Sequence, residues 1–204
     1  GDYLQDLLSP LFPLVIKGVR ELKTFGETRF HCLAAARVAD RYPREAFAAG
    51  LRILGEGQLS LTKFLIITDG AVDITDFKAL WTHVLERVNW ERDLFIFANV
   101  SQDTLDYTGP SVNKGSKAML MGLGPDKRRN LPESFSGFLP RGCDKPVAFL
   151  PGTLVVEGAP YEQDSELPSR LASSTQLEDW QVVLLVDDSA AATVSMPSSA
   201  NSSW

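Results

Sequence analysis

The sequence predicts an α/β sandwich of the three-layer type, with a mixed or mostly parallel sheet. Two observations indicate this class: short apolar runs end at turn residues, and amphipathic helical segments alternate with them along most of the chain. The best-defined stretch covers residues 61–99, where a strand, a helix and a second strand follow one another. We therefore predict a βαβ unit at 61–99 with its two strands parallel.

Each element of this unit has its own signal. Residues 61–68 (LTKFLIIT) form an apolar run that ends at a turn signal, Asp69-Gly70. Apolar residues then recur at helical spacing from Phe77 to Val88, after Asp73 and Asp76, which suit the start of a helix. Residues 94–98 (LFIFA) are the second buried strand.

The remaining elements follow from the same patterns. Residues 124–144 are rich in proline, glycine and charge, so we expect them to run over the surface. Further strands are predicted at 30–38, 117–123, 146–150, 154–157 and 181–186, and helices at 3–8, 43–54 and 165–172.

Length and composition favour one domain over residues 1–190, with two small domains as the alternative, and a flexible serine-rich tail over 191–204. No run approaches the ~20 apolar residues of a membrane span. Twenty basic and 26 acidic residues give a net charge of −6, which argues against a nucleic-acid surface. The first residues do not resemble a secretion signal, so we expect a cytoplasmic protein with Cys32 and Cys143 reduced.

The most unusual polar stretch is 102–124, which directly follows a predicted strand and therefore starts at a carboxyl end, where open α/β sheets bind ligands. Residues 113–117 (NKGSK) supply two ammonium groups, a hydroxyl and a glycine, the parts of a phosphate site. The spacing is not that of a P-loop. An ordinary polar turn is the alternative interpretation.

Other candidate residues have ordinary structural explanations. Asp69 and Asp73 could hold magnesium, but a turn and a helix cap explain them better. Lys63 lies inside an apolar strand, where it either extends to the surface or points into a cleft. His83 is expected at the surface or in a groove, and no catalytic constellation is evident.

Several segments, in the same order along the chain, resemble the C-terminal domain of UbiD-family decarboxylases. Residues 58–69 (QLSLTKFLIITD) resemble a strand of that family, and 103–107 (DTLDY) resemble its Leu-Asp-aromatic segment. Residues 115–117 match its Gly-Ser-Lys segment, and 25–31 (FGETRFH) resemble the opening of its C-terminal domain.

The resemblance implies a part of a larger enzyme. UbiD-family enzymes are reversible, non-oxidative decarboxylases of aromatic or α,β-unsaturated acids, and they use prenylated FMN with Mn²⁺ and K⁺. Their catalytic Glu-Arg-Glu set and metal ligands belong to an N-terminal flavin-binding domain, which we expect to be the partner of this chain. The chain itself should close the cofactor cleft, take part in homo-oligomer assembly, be inactive alone and bind no cofactor tightly.

The resemblance also implies site residues, none of them catalytic or metal-binding. Facing the cofactor phosphate or the cleft we expect Lys63, Gly115, Ser116 and Lys117. Lining the substrate side we expect Phe30 and His31. Two other functions stay open: a stand-alone, non-catalytic binding or scaffolding domain, and a protein that binds FMN or nucleotide phosphate through the Lys114–Lys117 stretch.

Overall fold

The computed structural model describes residues 11–26, 32–39, 41–42, 44–104, 106 and 109–187, without the side chains of Phe12, Pro13 and Gln58. It divides into two compact units between Arg128 and Arg129, where the sequence had favoured one domain over 1–190. The predicted helix at 3–8 and the predicted tail at 191–204 lie outside the described residues.

Unit 1 contains most of the predicted elements and one strand, β1, that the sequence did not predict. Its elements are α1 (Phe12–Val15), β1 (Val19–Thr24), β2 (Leu33–Val38), α2 (Glu45–Gly55), a 3-10 helix (Gly57–Leu61), β3 (Phe64–Thr68), α3 (Phe77–Leu85), α4 (Trp90–Asp93), β4 (Leu94–Ser101) and β5 (Lys114–Gly122).

The five strands form one mixed sheet in the order β1-β2-β3-β5-β4. The central strands β2, β3 and β5 are parallel, and the two edge strands are antiparallel to their neighbours. The predicted class, α/β with a mixed or mostly parallel sheet, is confirmed.

The predicted parallel pairing within residues 61–99 is wrong. β5 lies between β3 and β4, and β4 runs antiparallel to β5, so β4 is also antiparallel to β3. The apolar pattern predicted both strands, but it carries no information about which strands pair. β5 is the more apolar choice for the centre, with Met119, Leu120 and Met121 buried, whereas Ile96 of β4 is 68% exposed.

Helices cover both faces of the central strands, as expected for three layers. On one face α2 packs its buried Ala46, Ala49 and Ile53 against the alternate residues Leu65 and Ile67 of β3. On the other face α3 approaches β5 so closely that a Cβ on Gly122 would lie 2.6 Å from Cα of Val84. Only glycine fits there.

The helix starts differ in detail from the prediction. α3 begins after Asp76, whose carboxylate accepts a hydrogen bond from the Ala79 amide at 3.0 Å. Asp73, which we had expected as the cap, instead accepts from Thr75 at 2.8 Å in the preceding turn. The predicted helix at 43–54 is α2; Pro43, its expected first residue, lies outside the described part of the chain.

Unit 2 is a small α/β module. Its three-stranded sheet has the order β6-β7-β8, with β6 (Cys143–Leu150) antiparallel and β8 (Val182–Val186) parallel to the central β7 (Thr153–Gly158). α5 (Leu167–Ala172) and a second 3-10 helix (Thr175–Leu177) join β7 to β8. A core of Leu154, Val156, Leu171, Leu177 and Trp180 holds these elements together.

We predict that Gly122→Ala lowers the free energy of unfolding by about 1–3 kcal/mol, because the added Cβ collides with the backbone of α3. Gly55→Ala is the matched control: a Cβ there meets nothing within 4 Å, and alanine favours the helix by up to about 1 kcal/mol. Urea unfolding of both variants measures the difference. Equal effects of the two substitutions would contradict the packing of α3 on β5.

Candidate functional site at the amino edge of the sheet

Most of the predicted site residues lie along one edge of the unit 1 sheet. We call this the amino edge: it is where the parallel strands β2, β3 and β5 begin and where the antiparallel β4 ends. The backbone ties the strands together here. The amides of Lys63 and Phe64 both donate to the Cys32 oxygen, at 3.1 and 2.7 Å, and Ala118 donates to the Lys63 oxygen at 2.8 Å.

This location corrects the expected geometry. We had placed the stretch 102–124 at the carboxyl edge of the sheet, on the assumption that β4 is parallel to β3. Because β4 is antiparallel, its carboxyl end meets the starts of β3 and β5. Asp106, in the connection that follows β4, therefore lies next to Lys63.

An ion pair joins Lys63 to that connection. Lys63 Nζ lies 2.7 Å from Oδ2 of Asp106, whose side chain is only 7% exposed, while the Lys63 side chain is 31% exposed. A buried carboxylate needs such a partner, since leaving it charged and unpaired costs several kcal/mol. The pair therefore holds the Lys63 ammonium in a fixed place at the amino edge, with part of its surface in solvent.

Gln102 organises the backbone beside this pair. Its buried side chain donates from Nε2 to the Ser116 oxygen at 2.7 Å, and Asn113 returns a bond from Nδ2 to the Gln102 oxygen at 2.8 Å. A Cβ on Gly115 would lie 2.7 Å from Cγ of Gln102, so glycine is required for the close approach. Asn113 adopts a positive φ of 60° that turns the chain into β5.

The Gly-Ser-Lys segment is the start of β5 and not a loop. Ser116 and Lys117 consequently point to opposite faces, with Ser116 exposed and Lys117 buried at 7% exposure. Lys117 Nζ donates to the backbone oxygens of Leu54, at 3.3 Å, and Ser60. These oxygens belong to the end of α2 and to the 3-10 helix, so the Lys117 ammonium connects β5 to both.

Burial lowers the pKa of Lys117, because the charged ammonium loses solvation, and no described carboxylate pairs with it. Its side chain lies against a pocket of about 290 Å³ with largely apolar walls. The pocket is lined by Leu51, Leu54, Gly55, Ser60, Phe97, Val100, Ser101 and Lys117.

The remaining candidates lie elsewhere or outside the described residues. Phe30 and His31 are not described. At the opposite edge, the Gly124 amide donates to both carboxylate oxygens of Asp69, at 3.0 and 3.1 Å, which joins the end of β3 to the residues that follow β5. Within the described ranges no group of three metal-binding side chains occurs, and no helix is long and apolar enough to cross a membrane.

Burial shifts the pKa of His83 and that of Cys143 in opposite directions. The His83 ring packs against Gly70, where a Cβ would lie 2.4 Å from Cε1, and burial together with Arg87 lowers its pKa. Cys32 and Cys143 form no disulfide with each other in the structure, and burial raises the pKa of Cys143.

The fold and the amino edge together define an α/β domain with a fixed lysine beside a polar connection. Comparison with known families identifies it further. Residues 1–122 match the family described as the 3-octaprenyl-4-hydroxybenzoate carboxy-lyase C-terminal domain. This match covers more than half of the 204 residues, so the chain belongs to the UbiD C-terminal domain family.

Curated relatives extend over both units. A protein of Chlamydia trachomatis is 50% identical over 188 residues, which are 92% of this chain and 32% of that protein. A Chlamydia pneumoniae protein, named as a subunit of 4-hydroxybenzoate decarboxylase, is 46% identical over the same shares. The chain thus spans about a third of the length of these relatives.

Solved structures share the fold. The UbiD-class enzyme HmfF from Pelotomaculum thermopropionicum, in complex with FMN, matches with a TM-score of 0.52 at 19% identity, over 68% of this chain and 30% of that chain. The closed form of vanillic acid decarboxylase from Sedimentibacter hydroxybenzoicus matches with a TM-score of 0.52 at 18% identity. This match covers 65% of this chain and 28% of that chain.

Two residues that organise the site were not among our predictions. Asp106 lies in the DTLDY segment that carries the family resemblance, and Gln102 begins the same polar stretch, but neither was assigned a role. The missing step was the direction of β4, which decides that this segment meets Lys63. The cofactor contacts expected of Lys63 and residues 115–117 stay predictions.

We predict that Lys117→Met releases the 3-10 helix from β5. Amide exchange over residues 55–61 should accelerate about tenfold or more, since a hydrogen bond from a charged donor contributes about 1.5–3 kcal/mol. Lys114→Met is the control, because Lys114 is an exposed lysine of the same strand. Hydrogen exchange with mass spectrometry is the measurement. Unchanged protection in the Lys117 variant would show that its ammonium does not tether this helix.

Proposed function

We propose that this chain is the C-terminal domain of a cytoplasmic UbiD-type decarboxylase, acting with prenylated FMN on aromatic or α,β-unsaturated carboxylic acids. In this role it closes the cofactor cleft formed with an N-terminal flavin-binding domain and contributes to homo-oligomer assembly. Family membership supports the reaction class. The Chlamydia pneumoniae relative, named for 4-hydroxybenzoate decarboxylase, supports an aromatic acid as substrate.

The observation that carries this proposal is the Lys63–Asp106 pair at the amino edge. An ammonium has three N–H donors, and its compact charge suits a phosphate oxygen. The 31% exposure of Lys63 leaves its side chain accessible, while Asp106 limits the rotamers it can adopt. The fit to a flavin phosphate is therefore good at Lys63, and the ion pair reduces the entropy lost on binding.

Lys117 fits the phosphate less well than Lys63. Its ammonium is buried and already donates to Leu54 and Ser60. We assign it a positioning role instead: it fixes the end of α2, and with Gly115 and Ser116 it keeps the start of β5 in register beside Lys63. Ser116, which is exposed at this edge, is the candidate for a second polar contact.

These positions suggest which part of the reaction each domain would support. Bound prenylated FMN would supply the electron sink for decarboxylation, with Mn²⁺ and K⁺ held by the flavin-binding domain. Lys63 would bind and orient the phosphate end, and the closed domain would exclude water from the cleft. The acid and base groups would come from the partner domain, so the chain alone would be inactive.

We predict that Lys63→Ala, made in the enzyme that carries this domain together with its flavin-binding domain, weakens flavin retention about 10–100-fold. The loss of one hydrogen bond from a charged donor, about 1.5–3 kcal/mol, accounts for this range. Because Lys63→Ala alone would also remove the ammonium partner of the buried Asp106 carboxylate, the variant carries Asp106→Asn as well, and Asp106→Asn by itself is measured beside it. Flavin bound after gel filtration, read from its absorbance, is the measurement. Lys63→Arg should retain part of the affinity, because it keeps the charge.

The control is Lys114→Ala, which removes an exposed lysine near the same edge and should leave flavin retention unchanged. Equal retention by the Lys63→Ala enzyme and the parent would contradict the phosphate role. Titration of FMN into this chain alone separates the other hypotheses, because tight binding would favour a stand-alone phosphate-binding protein over half of a composite site.

A further inference from the structure

Unit 2 lies beyond the residues that match the family. The family match covers residues 1–122, whereas unit 2 begins at Arg129. The Chlamydia relatives nevertheless extend through most of it, since their alignments cover 92% of the chain. Unit 2 is a module with its own core, and the family match ends before it.

The edge strand of unit 2 has the composition of a central strand. β8 (VVLLV) is aliphatic throughout, yet among the described residues it pairs only with β7. Leu184 is 43% exposed, and no residue of β8 is fully buried. Natural edge strands usually carry a charge, a proline or a bulge that prevents further pairing, and β8 has no charge or proline.

An apolar groove runs beside this edge. It has a volume of about 440 Å³ and lies between α5, the second 3-10 helix and β8. Val183 and Leu185 of β8 line it together with the buried Trp180. The lining residues are Pro168, Leu171, Ala172, Ser174, Leu177, Glu178, Trp180, Gln181, Val183 and Leu185, with no lysine or arginine among them.

The two ends of β8 are acidic, and Glu178 also lines the groove. Exposed carboxylates stand at both ends of β8, with Glu178 and Asp179 before it and Asp187 after it. The only basic residue between 161 and 188 is Arg170, which is already paired with Asp164. Over the same stretch the acidic residues are Glu162, Asp164, Glu166, Glu178, Asp179, Asp187 and Asp188.

We propose that β8 and its groove bind an extended, apolar peptide segment flanked by lysine or arginine, contributed by another polypeptide. The segment adds a fourth strand to the unit 2 sheet through backbone hydrogen bonds, and its inward side chains fill the groove. Its basic ends pair with the carboxylates at the two ends of β8, which sets specificity and association rate.

The charge pattern argues against two other occupants. A second copy of this chain would bring Asp187 or Glu178 of its own β8 close to the acidic ends of the first, which is unfavourable in either strand direction. The segment 188–204 of the same chain contains no lysine or arginine. A basic-flanked strand from outside is the occupant that complements both ends.

The test uses the whole chain and labelled synthetic peptides in fluorescence anisotropy at low salt. We expect the peptide KKVTVTVTVKK to bind at least tenfold more tightly than EEVTVTVTVEE, because only the first complements the acidic ends of β8. We also expect KKSGSGSGSKK, which keeps the charge but loses the apolar strand, to bind at least tenfold more weakly. The double variant Glu178→Lys, Asp179→Lys should abolish the preference between the first two peptides, because one end of β8 is then basic while Asp187 keeps the other end acidic.

Several results would overturn the proposal. Absence of binding by KKVTVTVTVKK would remove the docking site, and equal binding of the serine–glycine peptide would reduce it to nonspecific charge attraction. A chain ending at Asp187 that binds the peptide tenfold more tightly would identify the segment 188–204 as the occupant. Concentration-dependent dimers in sedimentation that the peptide dissociates would instead identify a second copy.

Discussion

The position of β5 between β3 and β4 determines the geometry of the amino edge and of the helices around it. Because β5 is parallel to β3 and antiparallel to β4, the end of β4 returns to the edge where β3 begins. Asp106, which follows β4, consequently lies at this edge, with its Oδ2 2.7 Å from Nζ of Lys63. Had β4 paired with β3 in parallel, Asp106 would lie at the opposite edge of the sheet and the ion pair could not form.

The same strand carries the contacts that fix its surroundings. Its first half contains Gly115, which Gln102 covers, and Lys117, which bonds to the end of α2. Its last residue, Gly122, lacks a side chain and so allows the backbone of α3 to approach the strand closely. Burying a lysine ammonium costs solvation free energy, and this loss of solvation lowers the pKa of Lys117. The tether to two backbone oxygens partly offsets it and orders the 3-10 helix next to the amino edge.

Local elements were largely predictable, because apolar period and turn residues act within a few positions. The helix pattern from Phe77 onward and the apolar runs at 61–68 and 94–98 each contain an element of the predicted type. The first strand begins later than predicted, at Phe64, and α3 ends earlier, at Leu85. Strand order was not predictable in this way, since the choice between β4 and β5 as neighbour of β3 depends on burial across the whole sheet. The same limit applies to the two units: length and composition favoured one domain and left two small domains as the alternative, and they could not decide between them.

For the site, sequence identified the lysine and missed its partner. Lys63 was notable as a charge within an apolar strand, whereas Asp106 looks like any polar loop residue until the direction of β4 is known. The Gly-Ser-Lys segment shows the opposite case. Its composition suggested a phosphate loop, but glycine is required there by packing against Gln102, and Lys117 bonds to backbone oxygens. A segment whose residue types suit an anion can therefore be assigned a role only once the positions of those residues in the strand are known.

The proposed contact between Lys63, held by Asp106, and the cofactor phosphate can be measured as a distance. A crystal structure of the complete enzyme with flavin bound would give the separation between Lys63 Nζ and the nearest phosphate oxygen. We expect a hydrogen-bond distance, about 2.7–3.2 Å, with the Lys63–Asp106 pair intact. A phosphate bound entirely by the flavin-binding domain, with Lys63 beyond about 6 Å, would contradict the proposed role of Lys63.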